Sequence, residues 1–145
     1  PHSSVSVVIG HGGKEVVEAC GGYPALQFFE QKEQRGTADA VKSGGTFLEK
    51  QQGHVLILSG DVILLRKSSM EKMLKKHEEE KAVCSLVTTH LQNPTGYGRI
   101  LRDSQSRVQG IREEVDSSPD EKNITEINAG IYCFEIQTLL YIGIL

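Results

Sequence analysis

The sequence predicts an α/β fold on a mixed, mostly parallel sheet, truncated at both ends. Two patterns carry that prediction. In the first half, short apolar runs ended by glycine alternate with helical stretches, as in a parallel sheet covered on both faces. In the second half, strands and turns predominate, the mark of an inserted antiparallel element. The truncation is read from Pro1-His2-Ser3-Ser4, which leads into a strand without an initiator Met, and from the apolar stretch Leu139 to Leu145. Together they describe an internal piece of a longer protein.

Each element has a local reason. Val5-Ser6-Val7-Val8-Ile9-Gly10 is β-branched and apolar, a buried strand by type. His11-Gly12-Gly13 turns into a short amphipathic helix from Lys14 to Ala19. No lysine and Ser/Thr follow in P-loop spacing, so these glycines read as a turn and Lys14 as helix surface. Ala25 to Phe29 is a second strand. A helix from about Thr37 to Gln51 is weakened by Gly44 and Gly45. Val55-Leu56-Ile57-Leu58 is a third apolar run, and Ser68 to Lys81 a helix with a serine start and charges at helical spacing. Strands then follow at about Ala82–Thr89, Tyr97–Arg102, Val108–Glu113 and Ile127–Phe134, with Asp103-Ser104-Gln105-Ser106 as a hairpin turn.

At 145 residues the chain has the length of one domain, given roughly 100–200 residues per domain. Its net charge is -3, with both signs interspersed, which points away from nucleic acid and from membrane surfaces as partners. No apolar stretch approaches the ~20 residues that span a bilayer. The run Glu78-Glu79-Glu80 after Lys75-Lys76-His77 reads as a solvated helix face. Cys20, Cys84 and Cys133 lie far apart without a C-x-x-C pair, and the last two sit in apolar runs as small hydrophobes. Reduced thiols in a cytoplasmic protein are therefore expected. The histidines show no zinc spacing.

The densest chemistry lies in Gln31-Lys32-Glu33-Gln34-Arg35-Gly36-Thr37. A primary amide carries an acceptor and two donors in one plane, which suits the imide edge of uracil. Gly36 clears space where a base or ribose lies close to backbone, and Thr37 can cap the following helix, leaving N–H groups for a phosphate. The same pattern also fits an exposed polar helix ending in a turn. Ser59-Gly60-Asp61 follows an apolar strand at its carboxyl end, where open α/β sheets collect ligands. Asp61 there fits a Mg²⁺ ligand, and equally a loop aspartate capping the next segment. Gly96-Tyr97-Gly98 suits close backbone approach or a tight bend. Glu113 and Asn128 offer a carboxylate and an amide for sugar hydroxyls, or simply surface.

In order, these motifs resemble the uridyltransferase domain of the bacterial bifunctional N-acetylglucosamine-1-phosphate uridyltransferase/glucosamine-1-phosphate acetyltransferase family. The matching elements are Gly10-His11-Gly12-Gly13, Gln31-x-Glu33-Gln34-x-Gly36-Thr37, Gly60-Asp61-Val62, Pro94-Thr95-Gly96-Tyr97-Gly98-Arg99-Ile100, Gly110-Ile111-x-Glu113 and Glu126-Ile127-Asn128-x-Gly130-Ile131. They span almost the whole chain. The resemblance implies a Rossmann-like nucleotidyltransferase fold and a Mg²⁺-dependent reaction. UTP and N-acetylglucosamine 1-phosphate give UDP-N-acetylglucosamine, a peptidoglycan precursor, and pyrophosphate, in a cytoplasmic, homo-oligomeric parent protein. By the same resemblance Gln31, Gly36 and Thr37 hold the uracil and Gln34 shapes its pocket. Ser59, Gly60 and Asp61 line the nucleotide, with Asp61 on the metal, while Gly98, Glu113 and Asn128 bind the amino sugar.

Several family features fall outside these 145 residues. They are the opening strand with its glycine-rich loop and lysine, a second metal-ligating asparagine, and the β-helix for acetyl transfer. Ser59 stands where a tyrosine is common, and Asp39 where a histidine or another residue occurs. No catalytic residue is assigned within the chain, and little or no turnover by the chain alone is expected. Two other functions suit the same residues: transfer to a different sugar 1-phosphate, and non-catalytic binding of a nucleotide sugar. Loss of a central strand would also leave unpaired edges and a chain that folds poorly.

Overall fold

The computed structural model describes residues 4–62 and 64–143, which form two compact units. One holds the described residues up to His54 and those from Glu135 onward, and the other runs from Val55 to Phe134.

In the first unit β1 (Ser6–Ile9) and β2 (Gln27–Glu30) pair in parallel, Ser6 opposite Gln27 and Ile9 opposite Glu30. Between them runs α1 (Gly13–Ala19). Gly12 precedes it in the left-handed region at φ 74°, and the Gly13 N–H donates to the Gly10 carbonyl at 3.0 Å. The His11-Gly12-Gly13 turn is thus as read. β2 starts two residues later than expected because a turn, Leu26 N–H to the Tyr23 carbonyl at 3.1 Å, holds the residues before it.

The single helix expected from Thr37 to Gln51 is two, α2 (Thr37–Ser43) and α3 (Gly45–Leu48), broken at Gly44. Glycine supports a helix weakly. The ring of Phe29 lies against it, 3.4 Å from where a Cβ would stand, an ordinary van der Waals distance. Phe29 and Phe47 then pack with ring centroids 5.8 Å apart. A helix the sequence reading did not foresee, α5 (Ile136–Tyr141), takes up part of the apolar C-terminal run. It buries Ile136 and Leu139, three apart on one face, as α2 buries Val41. The Ile136 N–H donates to the Gly53 carbonyl at 2.9 Å and fixes where it starts.

The second unit contains β3 (His54–Leu58), α4 (Lys67–Glu79), β4 (Cys84–His90), β5 (Arg99–Arg102), β6 (Val108–Arg112) and β7 (Glu126–Glu135). The sheet runs β3-β7-β5-β6, with β4 also on β7. Pairs β4–β7, β5–β6 and β5–β7 are antiparallel. The sheet system is mixed, as expected. Its parallel pairing appears in β1–β2, while antiparallel pairing begins already at β4. The β5–β6 hairpin closes on Asp103, whose carboxylate accepts the backbone N–H groups of Gln105 and Arg107, each at 2.9 Å. That is an Asx turn. Helix α4 carries Lys–Glu pairs at i,i+4 on its solvated side. It buries His77, whose Nδ1 lies 2.8 Å from Ser85 Oγ.

Ile100, Ile127, Ile131 and Cys133 are buried in this unit. Burial pushes the Cys133 thiol up to about 11, so it packs as a neutral hydrophobe. Cys84, expected to do the same, is exposed, because β4 begins there and turns it outward. Among the described residues no helix is long and apolar enough to cross a membrane.

Glu126 joins three strands. Arg102 grips its carboxylate through Nε at 2.7 Å and Nη2 at 2.6 Å, and Thr88 Oγ1 donates at 2.7 Å. Led by the Arg102 bond, these hold the Glu126 carboxyl down at about 2. A carboxyl lowered on folding stabilises the fold above its ordinary value, and that contribution fades as pH falls towards the folded value. We expect the melting-temperature advantage of the wild-type chain over Glu126→Gln to be full at pH 6 and to shrink between about pH 4.5 and pH 2. Thermal unfolding of both proteins across that range checks it, and an advantage that grows on acidification would contradict it.

Candidate functional site

In the second unit a bulge assembles the site. Along β7, Tyr132 lies opposite Leu86 and Asn128 opposite Thr88, so Ala129–Ile131 face a single residue of β4. Such insertions bend a strand and re-aim its side chains. Gly130 sits at the apex at φ 70°, a conformation that strains any other residue. Its carbonyl accepts from Ser59 twice, from the backbone N–H at 3.2 Å and from Oγ at 3.3 Å. The chain leaving β3 is thereby tied to β7, with Gly60 and Asp61 exposed on the turn beyond it.

Two residues earlier the same strand reaches Gly98. The Asn128 N–H donates to the Gly98 carbonyl at 2.9 Å. Gly98 is buried, and a Cβ there would stand 3.3 Å from both carboxylate oxygens of Glu113. The structure therefore brings Ser59, Gly130, Asn128, Gly98 and Glu113 into one connected row. Glu113 lies just past β6, with its carboxylate beside the Gly98 backbone rather than within the strand as expected. The following 3-10 turn, Glu114–Asp116, and Ser117 Oγ, donating to the Glu113 carbonyl at 2.8 Å, anchor its backbone.

Arg99 fixes the loop before β5. Its side chain is only 2% exposed and pairs with Glu114 at 2.7 Å through Nη2. It also donates to the Tyr97 carbonyl and, at 3.4 Å, to that of Lys122. Glu114 in turn accepts the Gly96 N–H at 3.3 Å. With Arg99 foremost, these partners hold the Glu114 carboxyl below its usual range. Sequence reasoning missed both residues, and Tyr132 as well. The Asn128 Nδ2 donates to Tyr132 Oη at 2.5 Å, while its Oδ1 accepts the Gly130 N–H at 3.1 Å. The amide is thus held in one orientation with one N–H to spare. The period-2 spacing of 128 and 132 was the available signal.

Asp61 has no hydrogen-bond or ion-pair partner among the described residues, and no cluster of three or more His, Cys, Asp or Glu residues able to hold a metal occurs among them. A lone exposed carboxylate fits Mg²⁺ held partly by substrate phosphates, not a closed protein cage.

In the first unit Gln31 continues the β1–β2 ladder, its N–H donating to the Ile9 carbonyl at 2.8 Å. Its Nε2 donates to the Gly36 carbonyl at 3.2 Å and to Asp39 Oδ2 at 2.9 Å. Gly36, at φ 98°, is the residue that caps α2, and no side chain bonds the cap. This corrects the capping role expected of Thr37, which is the first helical residue instead. Exposed Gln34 lies over Gly10, its Nε2 2.9 Å from where a Cβ there would be. A side chain at Gly10 would displace that amide, the far end of a flexible exposed side chain. Asp39 lines an open cleft of about 310 Å³ with Glu30, Lys32, Glu33, Arg35 and Ser43.

Comparison with known proteins bears on the family and the fold. The chain is similar to the protein called "Bifunctional protein GlmU" from Acaryochloris marina, at 40% identity over 92% of its length. It is similar to those so named from Bacillus subtilis and Listeria monocytogenes serotype 4a, at 39% and 41% identity over 94% and 93%. It spans only 29–30% of the length of those relatives. The crystal structure of a putative glucose-1-phosphate thymidylyltransferase from Bacillus anthracis in complex with a sucrose superposes with a TM-score of 0.75. That match covers 95% of this chain and 55% of the other at 17% identity, and so shows the fold. The family model for nucleotidyl transferases matches residues 12–144, and the chain belongs to that family.

Proposed function

We propose that this chain carries the uracil- and sugar-binding parts of a uridylyltransferase that makes UDP-N-acetylglucosamine and pyrophosphate from UTP and N-acetylglucosamine 1-phosphate. The observation that carries the reading is the connected row Ser59–Gly130–Asn128–Gly98–Glu113, whose last four members fall in the motifs that resemble that family. A phosphate oxygen of the sugar phosphate attacks the α-phosphorus of UTP, and the bond to the departing pyrophosphate breaks. Little covalent work falls to the protein; positioning and charge stabilisation carry the rate. The Glu113 carboxylate and the spare Asn128 N–H orient the amino sugar. Gln31 reads the base. Asp61 would hold Mg²⁺, which when bound would neutralise phosphate charge.

Calorimetric titration of the chain with UDP-N-acetylglucosamine and Mg²⁺ tests this. Saturable binding is expected, weakened roughly tenfold by Gln31→Ala, the scale of a lost hydrogen bond that leaves a buried partner. Asp61→Ala should weaken binding in Mg²⁺ but not in EDTA. Absence of binding by a chain that circular dichroism shows to be folded would overturn the reading.

A further inference from the structure

The amide of Gln31 is fixed more tightly than nucleotide binding alone requires. Its backbone N–H is spent on Ile9, and both hydrogens of Nε2 are spent on the Gly36 carbonyl and Asp39 Oδ2. The remaining polar atom, Oε1, accepts no hydrogen bond from any described residue. A primary amide that can rotate by half a turn exchanges its donor and acceptor ends, and so tolerates either kind of partner. This one cannot rotate without leaving Asp39 facing the Gln31 oxygen, two acceptors with no proton between them. Asp39 is itself held. It lies in the first turn of α2, and Ser43 Oγ caps its carbonyl at 3.1 Å.

We propose that Asp39 is a positioning residue that locks Gln31 as a reader of N–H donors, and thereby sets a preference for uracil over cytosine. The inference rests on the reading that places the base at Gln31. Uracil presents a donor at N3, flanked by two carbonyls. Cytosine presents a lone pair there. A locked Oε1 meets the uracil N3–H with a hydrogen bond and the cytosine N3 with repulsion between two acceptors. A site built to bond one group rejects an analogue that lacks it far more strongly than a merely apolar pocket would. The carboxylate does not touch the base; it acts through the amide.

The test is competitive displacement of UDP-N-acetylglucosamine from the 145-residue chain by UTP and by CTP, with Mg²⁺, for wild type, Asp39→Ala, Asp39→Asn and Gln31→Ala. The readout is the ratio of the two affinities, which does not depend on the fraction of each variant that is folded. We expect wild type to favour UTP by roughly tenfold or more, and Asp39→Ala to cut that ratio by about threefold or more, because only the Gly36 carbonyl then holds the amide in its orientation. Asp39→Asn should keep most of the preference, because its Oδ1 still accepts from Nε2. Asp39→Ala with the wild-type ratio, alongside a Gln31→Ala that has lost it, would overturn the inference and leave the binding site standing. A Gln31→Ala with the wild-type ratio and affinity would remove the base from Gln31, and both conclusions with it, as would a wild-type chain that binds neither ligand.

Discussion

Arg99→Ala is expected to lower the stability of the second unit by about 3 kcal/mol or more, a loss of roughly 12 °C or more in melting temperature for a unit of this size. Three costs add. The substitution empties the space of a large side chain that is only 2% exposed. It takes donors from the Tyr97 and Lys122 carbonyls, and an unmade buried hydrogen bond costs more than a made one gains. It also leaves Glu114 with only the Gly96 N–H to hold the loop that carries Gly98. Arg99→Lys should recover only part of the loss, since one ammonium cannot reproduce a planar fork directed at three acceptors. Urea or thermal unfolding measures the effect, and a change below about 0.5 kcal/mol, the size of an ordinary surface substitution, would show that Arg99 does not organise the loop.

Gly98→Ala strikes the proposed sugar site without touching a charge. The added Cβ would stand 2.8 Å from Ile111 Cγ2 and 3.3 Å from both Glu113 carboxylate oxygens. Ile111 is exposed on one side but β-branched and stiff about χ1, and its Cγ2 is fixed close to the backbone, so it yields only at a cost. Either Glu113 swings away or the β5–β6 hairpin shifts. Overpacking of this kind costs about 1–3 kcal/mol. Affinity for UDP-N-acetylglucosamine should fall by roughly tenfold or more, because misplacement of a binding group by an ångström has effects of that order. Titration of the variant against wild type decides it. Affinity within about twofold of wild type would mean that the space between Gly98 and Glu113 is not used by the ligand.

The strands and most helices were legible because their apolar runs and glycine stops act locally: β1, β3 and α4 lie within a residue or so of where pattern placed them. The break at Gly44 was only half legible. Two adjacent glycines announced weakness, but their local pattern did not say that the helix would part at Gly44 rather than merely bend. α5 was hidden because Leu139 to Leu145 has no polar face to give it a helical period. Of the site, the glycines and amides stood out by type and spacing. What binds them together did not: the bulge at Gly130, the Arg99–Glu114 pair and the Asn128–Tyr132 bond all depend on pairing between distant strands. Thr37 was misplaced by one position because a positive φ at Gly36 let glycine take the cap.

β7 adjoins β3, β4 and β5, so the strand that organises the second unit is also its last in sequence. Ser59 waits for Gly130, 71 residues later. Contacts of such high sequence separation are slow to form, because the entropy of closing the intervening chain is lost before they repay it. On a ribosome, β3 would emerge long before its partner, an apolar strand with an open edge. The first unit has the same dependence through α5. Both units thus take their last elements from late in the chain, even though β1 and β2 can pair as soon as Glu30 is made.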